Sequence, residues 1–352
     1  MPIPDFHSFS VWVNVAIFLA AAVVVWIGGT RLASYADAIS ERTQVSKAFL
    51  GLILLGVATS LPEIVTTITA SLLDNASLVA GNLFGGVAMQ IAVLAIVDLI
   101  AVRKALTYFT PQPVLLFQGV MLLLLLSIAL AGAAAGDPLS LAGVGLTTVL
   151  LAAGYVMTVN WSRPGDGRLP RWKATNAPDE APGEQREQHR SGEGHLSNAR
   201  LYGFSGLSAL AILAAGWALA QTGDALSVQT GLGASFVGVA LVAGSTSLPE
   251  LSTALGAVRA GNHQMAVSNI LGTNCLEVAL FFLADGFYRG GPILAATDSS
   301  AIFAGTLGLV VTCIYLIGLL ERRDRTFLRM GYDSVAVLVT YSAGLVGLYF
   351  LR

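Results

Sequence analysis

The chain has 352 residues, of which 55% are hydrophobic and only 11% are charged, and its mean hydropathy is +0.73. Soluble globular proteins carry about 25% charged residues, so this composition excludes an ordinary soluble enzyme and indicates a polytopic membrane protein. The 19 basic and 21 acidic residues give a net charge of −2, which excludes the basic surface of a nucleic-acid-binding protein. Two cysteines, Cys275 and Cys313, are too few for a disulfide framework or a zinc cluster.

Apolar runs long enough to cross a bilayer recur along the whole chain. A hydrocarbon core of about 30 Å requires roughly 20 apolar residues per helix. Runs of that length, separated by charged or Gly/Pro-rich segments, predict an all-α protein with ten transmembrane helices. In chain order the predicted spans are Val11–Leu32, Ala48–Leu73, Leu78–Val102, Val114–Ala134, Leu139–Val159, Leu201–Gln221, Gly231–Val258, Met265–Phe287, Ala301–Leu320 and Ser334–Leu351.

The basic residues predict the orientation of these spans. Ten spans put both termini on the same side, and 17 of the 19 Lys and Arg residues then fall on the opposite side, with only Arg289 and Arg352 as exceptions. Because basic residues concentrate in cytoplasmic loops, we expect both termini to be extracytoplasmic. The long polar segment Arg163–Ala199 has 12 charged residues and four prolines among its 37 residues, and we expect it to be a disordered cytoplasmic linker.

An internal repeat divides the chain into two halves. The segment Thr59-Ser60-Leu61-Pro62-Glu63 recurs as Thr246-Ser247-Leu248-Pro249-Glu250, an offset of 187 residues. At this offset, motif copy one (residues 56–90) and motif copy two (residues 243–277) share ten identities in 35 positions. Each half then holds five spans, residues 1–162 and 200–352 on either side of the linker 163–199. Because five is odd, the second half must enter the membrane upside down, as in many secondary transporters.

Three carboxylates lie well inside apolar runs. These are Glu63, Glu250 and Glu277, and no basic residue occurs between Lys47 and Arg103, between Arg200 and Arg259, or between Arg259 and Arg289. A buried ionised carboxylate costs several kcal/mol unless it has a partner. An ion pair with a buried Lys or Arg is therefore disfavoured, and the partner is expected to be a cation from solution or a bound proton.

Oxygen-bearing side chains surround these carboxylates. They are Thr59, Ser60, Thr66 and Thr67 in the first motif copy, Thr246, Ser247, Ser252, Thr253, Thr273 and Asn274 in the second, and Gln90 opposite Glu277. Pro62 and Pro249 lack a backbone N–H and are expected to break their helices, which frees carbonyls near Thr59 and Thr246. Carboxylate, hydroxyl, amide and carbonyl oxygens suit hard cations such as calcium and sodium.

Asp98 and Asp285 are related by the same offset of 187 but lie towards the ends of their spans. We expect them to be solvated at the membrane interface or to act at a helix terminus, and not to join the three buried glutamates.

The paired motifs resemble the two alpha repeats of the sodium/calcium exchangers, a branch of the cation/calcium antiporter superfamily. Each Thr-Ser-Leu-Pro-Glu segment is followed by a second element, Gly81-Asn82-Leu83-Phe84-Gly85 in one half and Ser268-Asn269-Ile270-Leu271-Gly272 in the other. The motifs cover about 70 residues, and the span count extends the resemblance over nearly the whole chain apart from the linker.

This resemblance implies a central calcium site and flanking sodium sites. The calcium ligands would be the carboxylates of Glu63 and Glu250 with backbone carbonyls of Thr59 and Thr246. The sodium ligands would be Thr59 and Glu63 in one half, and Ala243, Thr246, Glu250 and Thr273 in the other. Glu277 matches a position usually held by Asp or Asn, and the residue type there is thought to bear on potassium co-transport.

The first motif copy departs from the family pattern at two positions. Gly86 stands where the family usually has Ser, and Gln90 where it usually has Asn. A sodium ligand is therefore missing from that half, so the usual stoichiometry of three sodium ions per calcium ion is in doubt, and protons are an alternative counter-ion.

The sequence therefore predicts an inner-membrane antiporter that exports calcium against sodium, with a calcium/proton antiporter as the alternative. Glu277 is expected to carry a proton when calcium is bound, because Ca²⁺ offsets only two of three negative charges. No resident cofactor is expected, and the expected partners are the transported ions and membrane lipid. An intramembrane protease using paired carboxylates and a passive cation channel are disfavoured rivals, the first because the buried pair is Glu and not Asp, the second because of the inverted repeat.

Overall fold

The computed structural model describes residues 5–43, 59–102, 105–110, 112–141, 143–162, 196–322, 326–327 and 329–351. Its long elements are all α-helices, joined by short turns and two small β-hairpins. The helices are α1 (Val11–Thr43), α2 (Leu61–Leu72), α3 (Ala76–Ala101), α4 (Pro113–Ala135), α5 (Leu146–Trp161), α6 (Asn198–Thr230), α7 (Ala234–Thr246), α8 (Leu248–Arg259), α9 (His263–Phe287), α10 (Ser299–Glu321) and α11 (Tyr332–Leu351).

The lengths and composition of these helices are those of a multi-pass membrane protein. Within the described ranges, seven helices are long and apolar enough to cross a membrane, and the pair α7 and α8, bent by 43°, makes up to eight. Two shorter apolar helices, α2 and α5, complete the set. Large apolar side chains such as Trp12, Leu207 and Phe350 are exposed on the outside of the bundle, as expected where lipid replaces water.

Most predicted spans coincide with a helix to within a few residues, and two need comment. The span predicted at Leu139–Val159 starts too early, because Ser140–Leu141 (β1) pairs with Val144–Gly145 (β2) and α5 begins only at Leu146. Only the part of Ala48–Leu73 from Thr59 onwards is described, and it holds α2. Residues 163–195 of the predicted linker also lie outside the described residues.

A second hairpin stands before α11. Thr326–Phe327 (β3) pairs with Met330–Gly331 (β4) in the same antiparallel way as β1 with β2. Each hairpin therefore comes directly before a helix, α5 in one half and α11 in the other.

Helices α3 and α9 form the centre of the bundle. Of the most apolar 18-residue stretch of each, 78% is buried in α3 and 67% in α9, against 28% in α6 and α11. Glycines let α3 approach α7 closely, since a Cβ added to Gly81 would lie 2.6 Å from the Ser235 carbonyl oxygen, and one added to Gly238 would lie 2.8 Å from the Leu78 carbonyl oxygen. Small residues at such crossings are the usual basis of helix packing in membranes.

The expectation that Asp98 and Asp285 are solvated at the membrane interface is wrong. Asp98 has no exposed surface and Asp285 is 3% exposed. Each lies near the C-terminal end of its helix, α3 or α9, and accepts hydrogen bonds from the segment that follows. The helix-terminus role, the other alternative, is the one that the structure supports.

Candidate functional site

The first Pro-Glu segment opens helix α2. Ser60 precedes the helix with φ −85° and ψ 4°, and Pro62 lies in the first turn, where its missing N–H costs no helical hydrogen bond. Glu63 is in the same turn and is 1% exposed. Its carboxylate therefore lies at a helix N-terminus, where the helix dipole favours negative charge. The Thr66 hydroxyl donates to the Glu63 backbone carbonyl at 3.1 Å.

The second Pro-Glu segment repeats this arrangement at the start of α8. Ser247 interrupts the chain between α7 and α8 with φ −80° and ψ 2°, and Pro249 and Glu250 fall in the first turn of α8. The Thr253 hydroxyl donates to the Glu250 carbonyl, again at 3.1 Å. Because Pro249 has no N–H, the carbonyl four residues earlier, on Ser245, loses its helical donor.

The two glutamates face each other's half of the chain. The Glu63 carboxylate lies near the Thr246 side chain, and the Glu250 carboxylate lies near the Thr59 side chain. Glu63 and Glu250 are also close enough to repel each other electrostatically. The structure thus brings together four residues that are 187 positions apart in pairs along the chain.

Glu277 on α9 contributes a third buried carboxylate. It is 1% exposed and interacts electrostatically with Glu63 and Glu250. The Gln90 side-chain amide on α3 donates to Glu277 Oε2 at 3.2 Å. Gln90 and Glu277 occupy equivalent positions in the two motif copies, so the contact predicted between them is confirmed.

These carboxylates have little compensation from protein groups. Within the described ranges, both oxygens of Glu63, both of Glu250 and Oε1 of Glu277 accept no hydrogen bond of good geometry. The ion pair found between described residues joins His7 to Asp224, away from these glutamates in the sequence. A buried, unpaired carboxylate is costly, so the arrangement suits a mobile cation or a proton as partner.

Other buried oxygens around the glutamates are also without a hydrogen-bond partner in the described part of the chain. They are Ser60 Oγ, Ser247 Oγ, Thr273 Oγ1, Gln90 Oε1 and Asn274 Oδ1. Ala243 is buried, but its carbonyl already accepts from the Ser247 N–H at 3.0 Å and from the Thr246 hydroxyl at 3.3 Å. It is therefore less available as a ligand here than the resemblance implies.

The described residues contain no cluster of three or more His, Cys, Asp or Glu side chains arranged to hold a metal ion. The donor set is instead two or three carboxylates with neutral hydroxyl, amide and carbonyl oxygens, which suits a hard cation that is bound and released.

One contact at the site was not anticipated from the sequence. Gly29 on α1 packs against the break before α8, since a Cβ added there would lie 2.5 Å from Pro249 Cγ. Gly216 on α6, 187 residues later, packs in the same manner on the first break, at 3.0 Å from Val65 Cβ. The pair Gly28-Gly29 inside an apolar helix was the available signal, because a glycine in a helix often marks a close approach.

Comparison with known proteins is consistent with this arrangement. The family described as sodium/calcium exchanger protein matches residues 13–174 and 201–351, which include both Pro-Glu segments. The chain belongs to the sodium/calcium exchanger family. Among curated relatives of this exchanger-family chain, the inner membrane protein YrbG of Escherichia coli (strain K12) is 25% identical over 306 residues, covering 85% of this chain and 88% of YrbG.

Two solved structures of exchangers share the fold. The sodium-calcium exchanger NCX_Mj aligns with a TM-score of 0.60 and 17% identity, covering 96% of this chain and 99% of that one. The H⁺/Ca²⁺ exchanger CAX aligns with a TM-score of 0.67 and 10% identity, covering 96% and 84%. At these identities the likeness concerns the fold of the exchanger family and does not choose between sodium and protons.

Proposed function

We propose that this protein is a secondary antiporter that moves Ca²⁺ out of the cell in exchange for Na⁺. The observation that carries the proposal is the pair of Pro-Glu segments, each with a buried glutamate at a helix N-terminus and each facing a threonine of the other half. Glu63 and Glu250 are the shared ligands, with Thr59 and Thr246 beside them. Ser60, Ser247, Thr273, Ala243 and Gln90 are the further candidate ligands.

The mechanism follows from competition for the same charge. Two or three buried carboxylates require positive charge, which one Ca²⁺ or several Na⁺ ions supply, so the two cargoes exclude each other. Exchange results when the loaded site opens alternately to the two sides and the empty site, with its uncompensated carboxylates, does not cross readily. We propose that Glu277 carries a proton while Ca²⁺ is bound, because Ca²⁺ offsets only two of the three negative charges.

The membrane arrangement belongs to the same proposal. We propose ten spans as two inverted repeats of five, residues 1–162 and 200–352, in the inner membrane with both termini extracytoplasmic. Contacts that recur at the repeat offset support it, such as Gly29 with Pro249 and Gly216 with Val65. The unequal distribution of basic residues supports the orientation.

A second candidate is calcium/proton exchange. It is favoured by Gly86, which supplies no hydroxyl to the first half of the site, whereas the equivalent residue of the second half is Thr273. A site with fewer neutral oxygen ligands holds fewer sodium ions, and protons on the carboxylates are then the remaining counter-charge.

The deciding experiment is calcium uptake into proteoliposomes that contain the purified protein. Vesicles are loaded with sodium and diluted into sodium-free buffer, with potassium-loaded vesicles and an imposed proton gradient as matched controls. Uptake that requires the sodium gradient and disappears in Glu63→Gln supports sodium/calcium exchange. Uptake driven by the proton gradient alone selects the second candidate, and calcium flux without any counter-gradient would contradict both.

A further inference from the structure

Gly86 on α3 and Glu277 on α9 fit together in a way that neither residue explains alone. A Cβ atom added to Gly86 would lie 1.7 Å from Glu277 Oε1, 2.6 Å from Cδ and 2.9 Å from Oε2. Non-bonded heavy atoms pack best at about 3.5–4.0 Å, so the two groups cannot coexist in this position. The carboxyl group of Glu277 therefore occupies the space that a side chain at residue 86 would fill.

The two halves of the site are unequal at this point. In motif copy two the residue equivalent to Gly86 is Thr273, which is 4% exposed and whose hydroxyl has no hydrogen-bond partner within the described ranges. The second half thus offers a neutral hydroxyl. The first half offers Glu277 Oε1, a carboxylate oxygen that reaches across from α9.

The remaining contacts of Glu277 hold its carboxyl group in this position. Gln90 Nε2 donates to Oε2 at 3.2 Å, which leaves Oε1 directed at Gly86. Glu277 Oε1 and Gln90 Oε1 are both buried and lack a donor in the described part of the chain. Two unpartnered oxygens on neighbouring side chains are suited to a cation, and one of them carries charge.

We propose that Gly86 and Glu277 act as one size-matched pair that sets the ion preference of the site. The inference rests on the proposed antiport function and deepens it. Gly86 is a positioning residue, since its missing side chain admits the Glu277 carboxylate. Substituting a carboxylate oxygen for a hydroxyl favours Ca²⁺ over Na⁺, because divalent hard cations gain more from a charged ligand. The pair thereby lowers the number of sodium ions that compete with one calcium ion.

The test is a set of variants assayed for calcium uptake and for its inhibition by sodium. Gly86→Ser and Gly86→Ala should each raise the calcium concentration for half-maximal uptake about tenfold, because the added Cβ displaces the flexible Glu277 head group. Adding Glu277→Asp to either should restore affinity to within about threefold of the unmodified protein, because the shorter side chain clears the Cβ. Adding Glu277→Gln should not, since it removes charge but keeps the length.

Sodium inhibition separates the hydroxyl from the space it fills. In the Glu277→Asp background, Gly86→Ser should increase the Hill coefficient for sodium inhibition, and Gly86→Ala should leave it unchanged. Gly256→Ser on α8 is the matched control, because a Cβ there meets no atom within 4 Å, and it should behave as the unmodified protein.

Thermal unfolding in detergent reads the same pair without any transport. The change in Tm for the double variant Gly86→Ser with Glu277→Asp should be smaller than the sum of the two single changes, since contacting residues are not additive. Equal uptake and Tm in Gly86→Ser and the unmodified protein would overturn the pair, as would rescue by Glu277→Gln. If the unmodified protein moves no calcium under any gradient, the antiport proposal fails, and the Tm coupling still decides whether the pair exists.

Discussion

Asp98 and Asp285 make the same three hydrogen bonds at the ends of two different helices. Each carboxylate accepts from the backbone N–H eight residues later, and from a glycine N–H and a hydroxyl that belong to the hairpin and following helix of the other half. For Asp98 the donors are Leu106 N at 3.0 Å, Gly331 N at 2.8 Å and Ser334 Oγ at 2.6 Å. For Asp285 they are Ile293 N at 2.6 Å, Gly145 N at 2.7 Å and Thr148 Oγ1 at 2.7 Å.

This relationship predicts that the two aspartates are needed for stability and not for ion binding. Asp98→Ala and Asp285→Ala each leave two buried backbone N–H groups without an acceptor, at about 1–3 kcal/mol per group. We expect Tm in detergent to fall by about 5–10 °C in each variant. Asp98→Asn should lose less, because its amide keeps one oxygen acceptor.

The control for these variants is Leu99→Ala, at the neighbouring and 44% exposed position on α3. It should change Tm by no more than about 2 °C, because little buried contact is lost. A Tm for Asp98→Ala as high as that of Leu99→Ala would show that these hydrogen bonds are not important for stability.

Neutralising either central glutamate should stop transport while the fold survives. Glu63→Gln and Glu250→Gln keep side-chain size and remove one of the charges that the cation offsets, so calcium uptake should fall by about 100-fold or more. The measurement is initial uptake into proteoliposomes under a sodium gradient, normalised to reconstituted protein. Glu321→Gln at the exposed end of α10 is the matched charge-removing control. Uptake within about threefold of normal in Glu63→Gln would rule out a shared carboxylate site.

Calcium should protect the protein against unfolding, and a chelator should remove that protection. A ligand that binds only the folded state at 100 times its Kd adds about 2.7 kcal/mol of stability. We expect Tm to rise with calcium in the unmodified protein and in Glu321→Gln, but not in Glu63→Gln. Equal rises in all three proteins would mean that calcium binds at some other place.

Gly29 should tolerate substitution less well than Gly216. A Cβ at Gly29 would lie 2.5 Å from Cγ of the rigid Pro249 ring, whereas one at Gly216 would lie 3.0 Å from Val65. Gly29→Ala should therefore lower both Tm and uptake, at a cost of about 1–3 kcal/mol, and Gly216→Ala should cost less. Gly203→Ala on α6, where the Cβ meets nothing within 4 Å, should be neutral or slightly stabilising. If the three alanine variants behave alike, the close contact of α1 with the break at Pro249 does not limit the protein.

Much of the fold was predictable because it depends on local composition. The predicted spans at residues 78–102, 114–134, 265–287, 301–320 and 334–351 agree with α3, α4, α9, α10 and α11 to within two residues at each end. The error at the start of α5 arose because Leu139–Gly145 is apolar enough to pass as helix, while its backbone pairs as a hairpin. Burial of Glu63, Glu250 and Glu277 was likewise predictable, since no basic residue is near them in the sequence.

The sequence by itself determined that this is a helical membrane protein with two copies of one carboxylate motif, because span length, hydropathy and self-similarity are properties of the chain order. Only the tertiary structure decided that Glu277 fills the space beside Gly86, that Asp98 bonds a hairpin 233 residues away, and that Gly29 abuts Pro249. The physical reason is that each of these contacts joins distant segments. Their energies depend on distances of a few tenths of an ångström between helices, which no pattern within one segment encodes.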